Sequence, residues 1–180
     1  LKDELRRKAK IINFSIIYGT SAFSLAKELG TAPREAQIFI DRYFEQHPRV
    51  KDFLEAAVKD AEEKGFTETI FGRLRQVPEL KQKDKMVQQA GRRIALNAPI
   101  QGSAADLMKK AMIDIWEEFK KRRLRTKIIL QVHDELVFEV PDEEKREVEA
   151  LVREKMETVF PLRIPLKVHL GWGSSWAEAK

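Results

Sequence analysis

The chain has 180 residues and a mass of 20.9 kDa, enough for one domain or two small lobes with a buried core. Its 34 Lys and Arg against 29 Asp and Glu leave a formal charge of +5 in a sequence that is 35% charged, so the basic excess permits an anionic partner without requiring one. The lack of Cys excludes disulfides, thiolate nucleophiles and Cys-based zinc or iron–sulfur sites and fits a reducing compartment; no apolar run reaches the ~18 residues that span a bilayer, and Leu1-Lys2-Asp3-Glu4 is neither a signal peptide nor an initiator methionine.

Periodicity predicts a helix over residues 5–18, apolar on most sides through Ile11, Ile12, Ile16 and Ile17, with Arg6, Lys10 and Phe14 on the opposite face. Gly19 stops it. Thr20 or Ser21 caps a short helix that runs to Leu29 and ends at Gly30. Pro33 opens a third helix with Ala36, Phe39, Ile40, Tyr43 and Phe44 as its expected buried stripe, and Pro48 opens a fourth that runs to Lys64. Phe66, Thr67, Thr69, Ile70 and Phe71 suggest a short hairpin around Gly72-Arg73. Helix returns over residues 86–97 and, after a break at Ala98-Pro99, a long helix follows. Its apolar stripe is Leu107, Met108, Ala111, Met112, Ile115, Trp116 and Phe119. Residues 127–140 alternate like two strands, Ile128, Leu130 and Val132 on one face, then Leu136, Phe138 and Val140, with His133-Asp134-Glu135 at the tip. Pro141-Asp142-Glu143 caps a last helix that buries Val148, Leu151, Val152 and Val159, and residues 164–170 read as a final strand. The fold class is α+β, a mostly helical lobe followed by a small antiparallel sheet with flanking helices, and the boundary is expected between residues 65 and 85.

Three constellations carry chemistry. Arg6, Lys10, Phe14 and Tyr18 recur every four residues, two cations and then two rings along about 18 Å of helix. Such a strip can hold a polyphosphate at one end and stack a base at the other; a solvated basic turn followed by core aromatics is the plainer alternative. Arg93, Asn97 and Gln101 repeat the spacing with long hydrogen-bonding side chains suited to a sugar–phosphate strand or the minor-groove edges of base pairs. Gln131-Val132-His133-Asp134-Glu135 places two adjacent carboxylates on a tight turn, oxygen donors of the kind Mg²⁺ takes. Two carboxylates are not a full two-metal site, and no second cluster in a comparable strand context is found. His47 and His169 lack metal-ligand spacing. The run Lys120, Lys121, Arg122, Arg123, Arg125 and Lys127 is either a nucleic-acid backbone contact or a solvated helix end, and Gly72-Arg73-Leu74-Arg75 has the same two readings.

Taken in order, Arg6…Lys10…Phe14…Tyr18-Gly19, Arg93…Asn97…Gln101-Gly102-Ser103-Ala104-Ala105-Asp106 and Val132-His133-Asp134-Glu135 resemble the C-terminal half of the polymerase domain of family A DNA polymerases, the bacterial DNA polymerase I type. The resemblance runs through Trp176-Ala177-Glu178-Ala179-Lys180. It implies template-directed DNA synthesis by nucleotidyl transfer from a dNTP to a primer 3′-hydroxyl, with residues 1–80 as part of the fingers and 81–180 as part of the palm. By that resemblance Arg6 and Lys10 lie on the triphosphate, Phe14 against sugar and base, and Tyr18 at the templating position. Arg93, Asn97, Gln101 and His133 contact primer and template. Asp134 and Glu135 are metal ligands for two Mg²⁺, Glu135 less directly, and Lys10 is the candidate general acid for the departing pyrophosphate. Phe at position 14 resembles members that reject dideoxynucleotides.

In this family a further catalytic aspartate, a ribonucleotide-excluding glutamate, the thumb and any exonuclease domains precede the first motif. The expectation is therefore that these 180 residues do not polymerise alone and act with the remainder of a polymerase, in the same or a separate chain. The expected partners are primer–template DNA and dNTP, with no membrane, and the expected location is the cytoplasm, on the nucleoid. The enzyme alternatives are a single-subunit RNA polymerase, which usually carries Ser where Glu135 stands, and a reverse-transcribing relative. A non-catalytic DNA-binding module is the alternative from another class.

Overall fold

The computed structural model describes residues 2–179, the side chain of Asp3 excepted. The described backbone is helical with two small antiparallel hairpins, as the α+β reading requires. It divides into two compact units, Leu1–Ser103 and Ala104–Lys180. That division falls later in the chain than the boundary expected between 65 and 85, because the hairpin in that stretch packs with the helices before it.

The first unit opens with α1 (Lys2–Ile17), α2 (Ala22–Leu29), α3 (Pro33–Gln46) and α4 (Pro48–Lys64). Their ends follow from local chemistry. The Ser21 hydroxyl accepts the Ser24 N–H at 3.3 Å to start α2, and Gly30 at φ +67° returns its N–H to the Ala26 carbonyl to end it. Pro33 and Pro48 occupy first-turn positions, where the missing N–H costs nothing. Leu25, Ala26 and Ala36 form a small core closed by Ile11, Ile12 and Ile40, so α1, α2 and α3 pack through short side chains. The expected stripe of α3 is narrower than predicted. Ala36 is buried and Ile40, Tyr43 and Phe44 are half-buried, whereas Phe39, on the flank of that face at 100° per residue, stays 40% exposed.

Residues 66–81 continue this unit. β1 (Phe66–Glu68) pairs with β2 (Leu74–Gln76) around a turn in which Gly72 has φ +77°. A 3₁₀ turn, Pro78–Lys81, then leads to α5 (Lys85–Arg122). Ala61, Val77, Leu80 and Ala95 bury themselves together, which ties α4, the segment after β2 and α5 into one core. Gly91 permits the approach, since a Cβ there would lie 2.9 Å from the Leu80 nitrogen and 3.0 Å from the Glu79 carbonyl carbon.

The predicted break at Ala98-Pro99 does not occur: α5 is one helix with Pro99 inside it. Proline removes one donor from the ladder and its ring crowds the preceding turn, a cost of ~3 kcal/mol that packing must offset. Ala95 and Leu96 on the preceding turn are buried. On the following turn the buried Ser103 hydroxyl donates to the Pro99 carbonyl and accepts the Ile70 N–H at 3.0 Å, so the turns flanking the proline are held by groups outside the ladder.

In the second unit the C-terminal part of α5 packs on α6 (Lys145–Glu157). Ile115, Phe119, Val148, Leu151 and Val152 are the buried centre. Of the stripe predicted along α5, Ala111, Ile115 and Phe119 are buried, while Trp116 is 50% exposed with the Lys120 ammonium 3.7 Å above its ring. β3 (Lys127–Val132) and β4 (Glu135–Glu139) form the predicted hairpin with one departure. Ile128 pairs with Phe138 but Leu130 with Val137, so a bulge at Ile129 shifts the alternation by one residue. Ile128, Leu136 and Phe138 therefore turn to the core, and Leu130 joins Val132, Glu135 and Val137 on the other face.

The strand expected over residues 164–170 is not formed. Val168 lacks a ladder partner and is held instead by side chains of α6: Arg153 donates to its carbonyl at 2.8 Å, and its N–H reaches Glu157 at 3.0 Å. Among the described residues, no helix is long and apolar enough to cross a membrane.

Candidate nucleotide and nucleic-acid site

Helix α1 is two-faced. Ser15 and Ile16 are buried against its neighbours, with Ser15 donating to Glu28 at 3.3 Å and Asn13 accepting the Tyr43 hydroxyl at 2.8 Å. These contacts fix the rotation of the helix about its axis and leave Arg6, Lys10 and Phe14 outward. The Lys10 ammonium lies 5.8 Å from the Phe14 ring centre, and Phe14 stacks on Tyr18 at 5.9 Å with 27° between planes. Tyr18 follows the last helical residue and donates its N–H to the Phe14 carbonyl at 2.9 Å. The four predicted residues are thus one continuous strip: guanidinium, ammonium, ring, ring.

The cations of this strip do not serve the helix. Arg6 sits toward its N-terminus, where positive charge opposes the macrodipole, and Lys10 lies near its middle, where the macrodipole favours neither sign. Lys8 pairs with Glu4 at 3.1 Å, but neither Arg6 nor Lys10 has a carboxylate partner among the described residues. Between Leu5 and Lys27 the sequence contains no acid at all. An exposed, unneutralised guanidinium and ammonium one turn apart have the donors and charge to receive an anion with several oxygens.

Gly19, at φ +67°, joins the strip to α5. A Cβ at this position would meet Leu96 Cδ1 at 2.8 Å and Arg93 Cγ at 4.0 Å, so only glycine lets the α1–α2 turn lie against that helix. The second predicted triad therefore begins beside the end of the first. Arg93 and Gln101 are exposed, and Asn97 is half-buried with its carbonyl oxygen buried and unpartnered. Gly19, Thr20 and Ser24 face Gln89, Arg93 and Leu96 across a cleft of about 620 Å³. Sequence reading missed this cleft because its walls come from five helices. The signal that could have found it is the four-residue spacing, which extends backward from Arg93 to Gln89 and Lys85.

The third constellation lies in the second unit. His133 and Asp134 form a two-residue turn between β3 and β4, with His133 at φ +51°, a left-handed geometry that His tolerates better than most residues. The Gln131 side-chain amide donates to the His133 carbonyl at 2.7 Å and braces the turn. His133, Asp134 and Glu135 are all exposed, and the two carboxylates have no cationic partner among the described residues. Adjacent, unpaired oxygen donors on a braced turn suit a hard divalent cation such as Mg²⁺, which is bound through one or two carboxylates together with waters and substrate phosphates. Among the described residues no group of three or more His, Cys, Asp or Glu is gathered as a metal cluster, so the pair fits as part of a ligand set. His47 lies at the joint of α3 and α4 with its ring 4.8 Å from Tyr43.

The chain belongs to DNA polymerase family A, whose model matches residues 1–178. It is 46% identical over 177 residues to the thermostable DNA polymerase I of Thermus filiformis, covering 98% of this chain and 21% of that protein. It is 46% identical over 183 residues to DNA polymerase I of Bacillus subtilis strain 168, covering 99% of this chain and 21% of that protein. Among solved structures it is similar to the POL domain of Pol1 from M. smegmatis in complex with DNA primer-template and dNTP, with a TM-score of 0.95, 46% identity, and coverage of 98% of this chain and 31% of that one. The chain spans about a fifth of the length of the curated relatives it matches.

Proposed function

We propose that this chain carries the nucleotide-binding strip and part of the metal-binding set of a DNA-directed DNA polymerase. Residues 1–80 act as fingers and 81–180 as palm. The observation that carries this reading is the strip on α1, where Arg6 and Lys10 are exposed and unneutralised and Lys10 runs directly into the stacked Phe14 and Tyr18. Membership of family A, and the primer-template and dNTP held by the similar M. smegmatis structure, support it.

Arg6 and Lys10 bind the triphosphate of the incoming dNTP, Phe14 packs on its sugar and base, and Tyr18 holds the templating position. Arg93, Asn97, Gln101 and His133 position primer and template through contacts blind to sequence. The primer 3′-hydroxyl gives up its proton to solvent as its oxygen bonds to the α-phosphorus and the bond from that phosphorus to the bridging oxygen of the β-phosphate breaks, releasing pyrophosphate. The Lys10 ammonium lies beside the charge that develops on the pyrophosphate and donates its proton there, which favours the transition state over the ground state. Asp134, with Glu135 beside it, would hold Mg²⁺, two ions in all, which when bound supply Lewis-acid stabilisation of the reacting oxygens. The described carboxylates make only part of that site, so the 180 residues are expected to act with the remainder of a polymerase and not to extend a primer alone. The setting that follows is the nucleoid in the cytoplasm.

The test is primer extension by the full-length protein. Lys10→Ala and Asp134→Asn are each expected to lower the incorporation rate by about 10²-fold or more while primer–template binding persists. Undiminished incorporation in either variant contradicts the reading. Binding without any incorporation by the parent protein favours a DNA-binding module instead.

A further inference from the structure

Four residues of the first unit hold the strip on α1 without belonging to it. Asn13 and Ser15 flank Phe14 on α1, Glu28 lies on α2 and Tyr43 on α3. The Tyr43 hydroxyl donates to the Asn13 side-chain oxygen at 2.8 Å, and the Ser15 hydroxyl donates to Glu28 at 3.3 Å. Nothing in the proposed function uses any of the four.

At roughly 100° per residue, Asn13 stands about 60° to one side of Lys10 around the helix and Ser15 about 140° to the other. The two bonds therefore grip α1 on opposite flanks of the strip, and rolling the helix in either direction spoils their geometry. They are unequal. The Tyr43 bond has the usual length of a strong O–H···O bond, whereas the Ser15 bond is longer and weaker. Tyr43 is also held on its own side. Its ring meets Phe44 edge-on at 5.8 Å and lies 4.8 Å from the His47 ring, so its hydroxyl reaches α1 from a support at the joint of α3 and α4.

We infer that Tyr43 is a positioning residue for nucleotide binding, setting the roll of α1 through Asn13 so that Lys10 and Phe14 face the incoming dNTP together. Ser15 and Glu28 brace the other flank more weakly. This role rests on the polymerase reading of the strip and adds to it a support thirty residues away along the chain. Without the hydroxyl, α1 also populates orientations in which the two groups do not both reach the nucleotide, and the apparent affinity falls by the fraction that remains competent. One net hydrogen bond corresponds to about 2- to 10-fold in such an equilibrium. Saturating nucleotide draws the population back, so the maximal rate is preserved.

The experiment measures single-nucleotide incorporation by the full-length protein and by its Tyr43→Phe variant, which keeps the ring and loses the hydroxyl. The dNTP concentration for half-maximal rate should rise about three- to tenfold, with the maximal rate within about twofold of the parent and primer–template affinity unchanged. Partial unfolding does the reverse, lowering the maximal rate without moving the half-saturating concentration. Asn13→Ala/Tyr43→Phe should be no worse than Asn13→Ala alone, since both changes remove one bond. Glu28→Ala should show a smaller rise than Tyr43→Phe, and Glu28→Gln, which keeps an acceptor for Ser15, should match the parent. Gln37→Ala removes a bond of the same 2.8 Å length within α3, to Asp41, and should leave the half-saturating concentration unchanged. A rise under about twofold in Tyr43→Phe, an equal rise in Gln37→Ala, or losses that multiply in the double variant overturn the role. If the parent protein incorporates no nucleotide, the polymerase reading fails first and takes the role with it; if the parent incorporates and Tyr43→Phe does not differ from it, only the brace fails.

Discussion

Two basic regions of this molecule have similar composition and opposite states. Arg6 and Lys10 on α1 are exposed and without carboxylate partners among the described residues. The longer run at the end of α5 is largely committed. Lys120 covers the Trp116 ring, Lys121 meets Glu118 at 3.6 Å, and Arg122 reaches both Glu118 and Glu147 at 3.1 Å. Arg125 pairs with Glu143 and, at 3.9 Å, Glu144, while Lys127 meets Glu139 at 3.9 Å. Most of the run thus has partners within its own unit, which favours the plainer of its two sequence readings. A cation available to a ligand is one the fold has not already neutralised, and counting charges along a sequence cannot tell the two apart.

Substitutions at both regions test that contrast. The largest effect is expected from Lys10→Ala, which should lower the maximal incorporation rate of the full-length polymerase by about 10²- to 10⁴-fold, the range for removing a general acid. Rapid-quench kinetics at saturating dNTP would read it, and a loss under tenfold would remove Lys10 from proton donation. Arg6→Ala removes a charged hydrogen-bonding group and should raise the dNTP concentration for half-maximal rate by about 10- to 100-fold. Phe14→Tyr sharpens the assignment of the ring next along the strip. A phenolic hydroxyl can replace the hydrogen bond otherwise made by the nucleotide 3′-hydroxyl, so the ratio of dideoxy to deoxy incorporation should rise, and an unchanged ratio would place the ring elsewhere.

At the end of the strip, Gly19→Ala should destabilise the protein by about 1 to 3 kcal/mol, since the new methyl meets Leu96 Cδ1 at 2.8 Å and the backbone sits at φ +67°. Denaturant titration would measure it.

For the committed region the readout is stability against pH. Glu144, whose side chain is 11% exposed, accepts the Arg125 N–H at 2.8 Å and both the hydroxyl and N–H of Thr126 at 2.6 and 2.9 Å. These bonds, that of Arg125 first and the Thr126 hydroxyl next, hold its carboxyl below the ordinary 4.5. Because the folded value is the lower one, this stability is complete above the unfolded value and fades as pH falls through the folded one. Glu144→Gln should lower the melting temperature at pH 7 and flatten its fall below about pH 4.5; parallel curves for parent and variant would refute this. The smallest effect is expected from Lys121→Ala, within about threefold of the parent in DNA affinity, as an exposed pair contributes little either way.

Much of the molecule was legible because it is local. Gly30 and Gly65 end helices, Pro33 and Pro48 begin them, and spacing by four is enough to put Arg6, Lys10, Phe14 and Tyr18 on one strip. What sequence misjudged depends on partners distant along the chain. Pro99 reads as a break, yet it is carried through by buried Ala95 and Leu96 before it and by a serine that also binds Ile70. The alternation of residues 127–140 hides the bulge at Ile129, because a bulge is a property of the pairing between strands. Residues 164–170 have a strand-like pattern but no strand to pair with among those described, and side chains of α6 hold them instead. For the site, residue types and spacing were readable, whereas the states of the cations and the cleft walls were not.

The most direct measurement is the reactivity of individual lysines toward an amine-acylating reagent, read by mass spectrometry on the full-length protein with primer–template, with and without a complementary dNTP. Protection of Lys10 when the nucleotide is added, with Lys121 reacting equally in both states, is the result predicted here. Equal labelling of Lys10 in both states would contradict it.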